Sequence, residues 1–99
     1  MSGKYIYNNE LRMENGELRI YPNPANSLLV VSYSLFEKTN VSLNIYDLIG
    51  NQVLSLVNQE QPKGENKIEF NTEKLNNGIY FCKLQAGSSS MTKKIVVVH

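Results

Sequence analysis

Val41-Ser42-Leu43-Asn44-Ile45-Tyr46, running into Asp47-Leu48-Ile49-Gly50-Asn51, is the stretch that decides the fold class. Val41, Leu43 and Ile45 alternate with Ser42, Asn44 and Tyr46, the period of two that sends one set of side chains to a buried face and the other to water. The next residues form a turn, in which Gly50 suits a positive φ that a side chain would resist. A half-buried strand closed by a tight turn is the unit of antiparallel β-structure, and the flanking sequence repeats it.

Downstream, Val53 to Val57 reads as a short strand and Gln59 to Gly64, with Pro62, as a loop. Ile68 and Phe70 then alternate with Lys67 and Glu69. Asn71-Thr72-Glu73-Lys74-Leu75 has room for at most one helical turn before Asn76-Asn77-Gly78. Ile79 to Leu84 is a further strand, Ala86-Gly87-Ser88-Ser89-Ser90 a flexible loop, and Met91 to Val98 the last strand. Upstream, Glu37-Lys38-Thr39-Asn40 is a polar turn. Leu28 to Leu35 is apolar on both faces near its start, as in a strand covered from both sides. Leu18-Arg19-Ile20-Tyr21 is the first clear strand, stopped where Pro22-Asn23-Pro24 fixes φ twice and removes two ladder donors. About seven antiparallel strands, with turn signals roughly every eight to twelve residues, predict an all-β, immunoglobulin-like β-sandwich. Residues 18–99 would be that domain. Residues 1–17 read as a linker or the remnant of a preceding domain, although Asn15-Gly16 would also suit a hairpin turn.

The chain has 99 residues, enough for one domain and too few for two cores. A hydrophobic share of 41% and a charged share of 19% fit an ordinary globular domain. The net charge of +1 and the dispersed basic residues give no field to attract nucleic acid or an anionic membrane. No stretch approaches the ~18 apolar residues of a membrane span, so direct membrane insertion is not expected. Met1-Ser2-Gly3-Lys4-Tyr5 lacks the apolar run of a signal peptide, so an export signal would lie on sequence ahead of it.

The residues that carry chemistry are sparse. Cys82, the single cysteine, cannot form an intrachain disulfide and has no basic neighbour along its strand to activate it. It reads as a small buried hydrophobe on the same face as Leu84. Tyr80 stands two residues before Cys82 at the start of the sixth strand, the position at which immunoglobulin-type sandwiches place a tyrosine that bonds back to the preceding corner. His99, the one histidine, is the terminal residue and is expected to fray. There is no metal-ligand cluster, no nucleophile with an oriented base and no glycine-rich phosphate loop. No catalytic residue, metal or cofactor is therefore expected. Tyr5, Tyr7, Tyr21 and Tyr46 could stack on sugar rings if exposed together, but cross-strand packing is the simpler reading. Asn40-Val41-Ser42 matches a glycosylation acceptor, a pattern common by chance. The valine-rich end of the chain is an aggregation hazard unless guarded, and Lys93-Lys94 are suitable guards. Held at one end only, such a strand could also be offered to a receptor by strand addition.

Four segments in order carry a resemblance to a known family: Ile20-Tyr21-Pro22-Asn23-Pro24-Ala25, Ile45 through Val53, Leu75-Asn76-Asn77-Gly78-Ile79-Tyr80, and Thr92-Lys93-Lys94-Ile95-Val96-Val97-Val98. Together they resemble the type A C-terminal sorting domain of the type IX secretion system of Gram-negative bacteria, over about residues 18 to 99. His99 departs from the basic residue with which members often end. The resemblance implies a non-catalytic signal that takes an N-terminal cargo domain through the periplasm and an outer-membrane translocon to the cell surface or beyond. It also implies removal by a sortase within roughly residues 1 to 19. Recognition candidates carried over in this way are Tyr21, Pro22, Asn23, Pro24, Gly50, Gly78, Tyr80, Lys93, Lys94, Ile95, Val96, Val97 and Val98. The implied partners are translocon and sortase components, and pairing of two copies through sheet edges is also open. The alternative function is a carbohydrate-binding or adhesive module of a secreted protein, which would need several exposed coplanar aromatics.

Overall fold

The computed structural model describes residues 13–25 and 27–99, with Met13 to Glu17 described as backbone. Two antiparallel sheets face each other. One has the order β1-β2-β5, with β1 Met13–Tyr21, β2 Leu28–Leu35 and β5 Gly64–Asn71. The other has the order β4-β3-β6-β7, with β3 Thr39–Tyr46, β4 Gln52–Gln61, β6 Gly78–Ala86 and β7 Ser89–Val97. The seven strands predicted from alternation are present, and the single helical turn falls at Thr72–Lys74 as 3-10 helix. Asn71 caps that turn by accepting from the Glu73 amide.

Alternation places the core. In β3, Val41, Leu43 and Ile45 are buried while Ser42, Asn44 and Tyr46 are half-buried on the other face. Leu29, Val31, Tyr33 and Leu35 of β2 meet them from the opposite sheet together with Leu18 of β1, while Cys82 and Leu84 of β6 and Ile95 and Val97 of β7 extend the β3 side of the core. Each fully buried Leu or Ile removes enough apolar area from water to contribute about 1.5–3 kcal/mol. This interlayer stripe is what holds the two sheets face to face.

Apart from shifts of one or two residues, as where β3 begins at Thr39 inside the expected polar turn, the strand boundaries and faces differ from the sequence reading in four places. First, β1 begins at Met13, ahead of the expected Leu18, so part of the presumed linker is paired backbone; residues 1–12 lie outside the described residues. Asn15-Gly16 falls in the irregular register between Met13 and Leu18, within the strand and not at a hairpin tip. Second, β4 runs on to Gln61 and β5 starts at Gly64, leaving only Pro62 and Lys63 to connect these two strands across the sheets. Gln59-Glu60-Gln61 read as loop because a border strand can be polar on both faces. Third, among the described residues no layer covers the outer face of β2: Leu28 is 48% exposed and Val30 half-buried. Fourth, the serine-rich loop is a two-residue turn, Gly87-Ser88, between the paired Ala86 and Ser89. Gly87 has φ 61, the left-handed conformation such a turn requires.

Candidate functional site

Among the predicted recognition residues, those of the Pro22–Ala25 turn and of the last strand meet directly. The turn follows β1 and holds two cis peptide bonds, Tyr21-Pro22 and Asn23-Pro24. Its direction carries Asn23 onto the outer border of β7. There the Asn23 side-chain amide donates from Nδ2 to the Lys94 carbonyl at 3.1 Å and accepts at Oδ1 from the Val96 amide at 3.0 Å. One asparagine thus supplies the donor and acceptor that a neighbouring strand would supply. Ala25 continues the pairing in parallel: its amide donates to the Val96 carbonyl at 2.8 Å, and its carbonyl accepts from the Val98 amide at 2.9 Å.

β7 is therefore a border strand in sheet order, as strand addition requires, yet its outer edge from Lys94 to Val98 is already occupied. The same alternation leaves the outward backbone groups of Ser90 and Thr92, and the Lys94 amide, along the unclasped part. Lys93 and Lys94 are exposed, Val98 is 49% exposed and Val96 half-buried, whereas Ile95 and Val97 are core residues at 0% and 1%.

Gly78 and Tyr80 enter this end through β6, where Gly78 pairs with Val97 and Tyr80 with Ile95. The Tyr80 hydroxyl donates to the Asn76 carbonyl at 2.7 Å, the back-bond to the preceding corner predicted from its position. The chain end is tied to the same corner and does not fray as expected. The His99 amide donates to Asn77 Oδ1 at 2.9 Å, and His99 Nε2 lies 2.7 Å from the Leu75 carbonyl, an acceptor that fixes the proton on that nitrogen.

Gly50, with φ 93, closes the β3–β4 turn beside this corner. Asp47 fixes the turn, accepting at Oδ1 from the Ile49 amide at 3.1 Å and the Asn51 amide at 2.9 Å. Asp47 to Ile49 and Asn77 to Tyr80 line a shallow depression of about 300 Å³. Leu48, 64% exposed, and Ile49, 83% exposed, stand on its rim. These two lie in the turn and in the Ile45 to Val53 motif segment but are not among the recognition candidates; two large aliphatic side chains in a turn, where polar residues are the rule, are the available signal.

Chemistry is poorly served here. Cys82 is fully buried, and burial pushes its thiol up to about 12, away from thiolate. No group of three or more His, Cys, Asp or Glu residues is placed to hold a metal among the described residues. No described helix is long and apolar enough to cross a membrane. Among the described residues the strongly exposed aromatics are Tyr21 and Phe36. Phe36 follows β2 and Tyr21 ends β1, at opposite ends of the sandwich, so they form no common platform for a sugar. Tyr5 and Tyr7 lie outside the described residues.

Comparison with known proteins agrees with this arrangement. The family model described as secretion system C-terminal sorting domain matches residues 19–98. The crystal structure of dimeric latent PorU from Porphyromonas gingivalis superposes with a TM-score of 0.64 at 22% identity, over 82% of this chain and 9% of PorU. PorZ of the same organism, described as an essential surface component of the type-IX secretion system, superposes with a TM-score of 0.59 at 17% identity, over 87% of this chain and 12% of PorZ. At such identities these likenesses establish the shared fold, and the chain spans about a tenth of either protein's length. No curated protein sequence matches the chain. With the family match running from the first strand through Val98, the chain belongs to the C-terminal sorting domains of the type IX secretion system.

Proposed function

We propose that this domain is a non-catalytic address that carries an attached N-terminal cargo through the type IX outer-membrane translocon to the cell surface, where a sortase removes it. The observation that carries the reading is the family match over residues 19–98, joined to the gathering of its motif segments at one end of the sandwich. Sequence-distant segments brought to one end of a stable domain make a surface that a receptor can read while the cargo varies.

The recognition candidates then divide by exposure. Tyr21, Pro22, Asn23, Pro24, Gly50, Gly78, Lys93, Lys94 and Val98 are exposed and can touch a receptor, and Val96 is half-buried on the outer face. Tyr80, Ile95 and Val97 act from the core by holding the others in place. Strand addition to β7 is open over Ser90 to Lys94; addition beyond Lys94 requires Asn23 and Ala25 to leave. Cleavage ahead of Met13, within the range of residues 1 to 19, is supported by the pairing of β1, since a cut inside that strand would fall in paired backbone leading to the buried Leu18.

The test is a fusion of the 99-residue chain behind an inert carrier, expressed with a cleavable inner-membrane export signal in a type IX-competent bacterium. The carrier is expected on the surface of that strain and in the periplasm of a translocon-deficient one. Equal distribution in both strains would remove the reading.

A further inference from the structure

Leu48 and Ile49 are exposed at a turn whose geometry gives them no folding task. The β3–β4 turn is built by the polar groups around them: Asp47 accepts from Ile49 and Asn51, the Asp47 amide donates to the Asn51 carbonyl at 2.9 Å, and the Gly50 amide to the Asp47 carbonyl at 3.1 Å. This network fixes the backbone whatever side chains stand at 48 and 49. Serine or asparagine would serve the turn as well and would cost nothing in hydration.

The pair also adjoins further apolar surface. Ile79, 37% exposed, lies across the depression and pairs with the half-buried Val96 on the outer face of the four-stranded sheet. Beside them Tyr46 pairs with Phe81, both half-buried on that face. The depression is lined by one charged side chain, Asp47, whose carboxylate is engaged by its own turn, and by no lysine or arginine. On the surrounding face Lys94 stands opposite Phe81 and Lys83 lies two residues further along β6, fewer bases than the clusters with which membrane-surface binders supplement apolar insertion.

A second copy of the chain also fits poorly. The exposed aliphatic area is on the order of a few hundred Å², enough for a transient docking contact and short of the roughly 800 Å² per partner of a stable dimer. In a two-fold pair each tip needs a socket on its partner, and the depression beside the tip is walled by Leu48 and Ile49 themselves.

We infer that Leu48 and Ile49 form an anchor that inserts into an apolar socket on a protein of the export apparatus, with Ile79 and the Tyr46–Phe81 strip bearing on its rim. The inference rests on the sorting function proposed above and names its contact surface. Pre-ordering by Asp47 leaves little backbone entropy to lose on docking, and exposed aliphatics gain most from entering a dry pocket.

The experiment uses the same full-chain carrier fusion with L48S/I49S, with I49S alone should the double variant misfold, and with F36S at the far end of the sandwich as control. Purified L48S/I49S is expected to keep the thermal midpoint of the parent, since both residues lie outside the core. Surface delivery is expected to fall about tenfold or more for L48S/I49S, as for loss of an interface hot spot, and to stay unchanged for F36S. A photo-crosslinking residue at position 49 is expected to mark an export-apparatus protein in living cells. Folded L48S/I49S delivered as well as the parent would overturn the anchor while leaving the sorting function standing. Crosslinking at 49 to lipid or to a second copy would overturn the choice of partner. Failure of the parent fusion itself would take both proposals down together.

Discussion

Cys82 illustrates what one residue type means in two settings. Along the sequence it is a lone thiol; in the fold it is sealed between the sheets with its pKa pushed up to about 12 by burial. Tyr33, 3% exposed, is likewise pushed up to about 12. Native Cys82 is expected to ignore a thiol-reactive disulfide reagent at pH 8 and to react only once denaturant opens the sandwich. The same shifts set the alkaline limit of stability. Both folded-state values lie above the unfolded ones, so the stabilisation is fully present below about pH 9. It is lost as pH rises toward 12, because the unfolded chain releases these protons first. Urea midpoints measured from pH 8 to 11 are expected to fall, and to fall less steeply for Y33F. The burial of Cys82 was legible from its place in an alternating strand. The roles of Leu48 and Ile49 were not, since a turn pattern specifies backbone shape and says nothing of what stands above it.

The element that most shapes the site is the clasp between the Pro22–Ala25 turn and β7. Pro22 and Pro24 were legible as a rigid stop, but the partners of Asn23 lie 71 and 73 residues away, where no local pattern reaches. Replacing Asn23 with Ala leaves the Lys94 carbonyl and the Val96 amide at the sheet border to water alone. Both bonds are exposed, so the loss is expected to be modest, about 1–2 kcal/mol in urea unfolding. Amide exchange at Val96 should rise more than at Val98, whose bond to the Ala25 carbonyl remains. Unchanged exchange at Val96 would show that the side chain does not pair with the strand in solution. Strand limits were clear where one face was buried, as in β3, and blurred at Gln59 to Gln61. A border strand with both faces in water carries no alternation to read.

For the whole molecule, β7 unites address and architecture. Deleting Lys93 to His99 would strip Ile95 and Val97, 0% and 1% exposed, from the core along with half of the strand's pairing to β6. Large-to-small changes at single buried sites of this kind cost about 2–5 kcal/mol each. A domain of this size has on the order of 5–15 kcal/mol of stability in all. The truncated chain is therefore expected to lose its cooperative thermal transition, and its failure in export would report unfolding and not lost recognition. K93E/K94E, at exposed positions, is expected to keep the parent's midpoint and so isolates the surface contribution. The all-β class, the number of strands, the corner tyrosine and the family can be read from residue order, because alternation, turn chemistry and ordered motifs are local properties of the chain. The clasp along the outer edge of the terminal strand, and the projection of Leu48 and Ile49 from a fixed turn, emerge from the folded arrangement. Those are facts of contact and exposure, which arise when segments tens of residues apart meet.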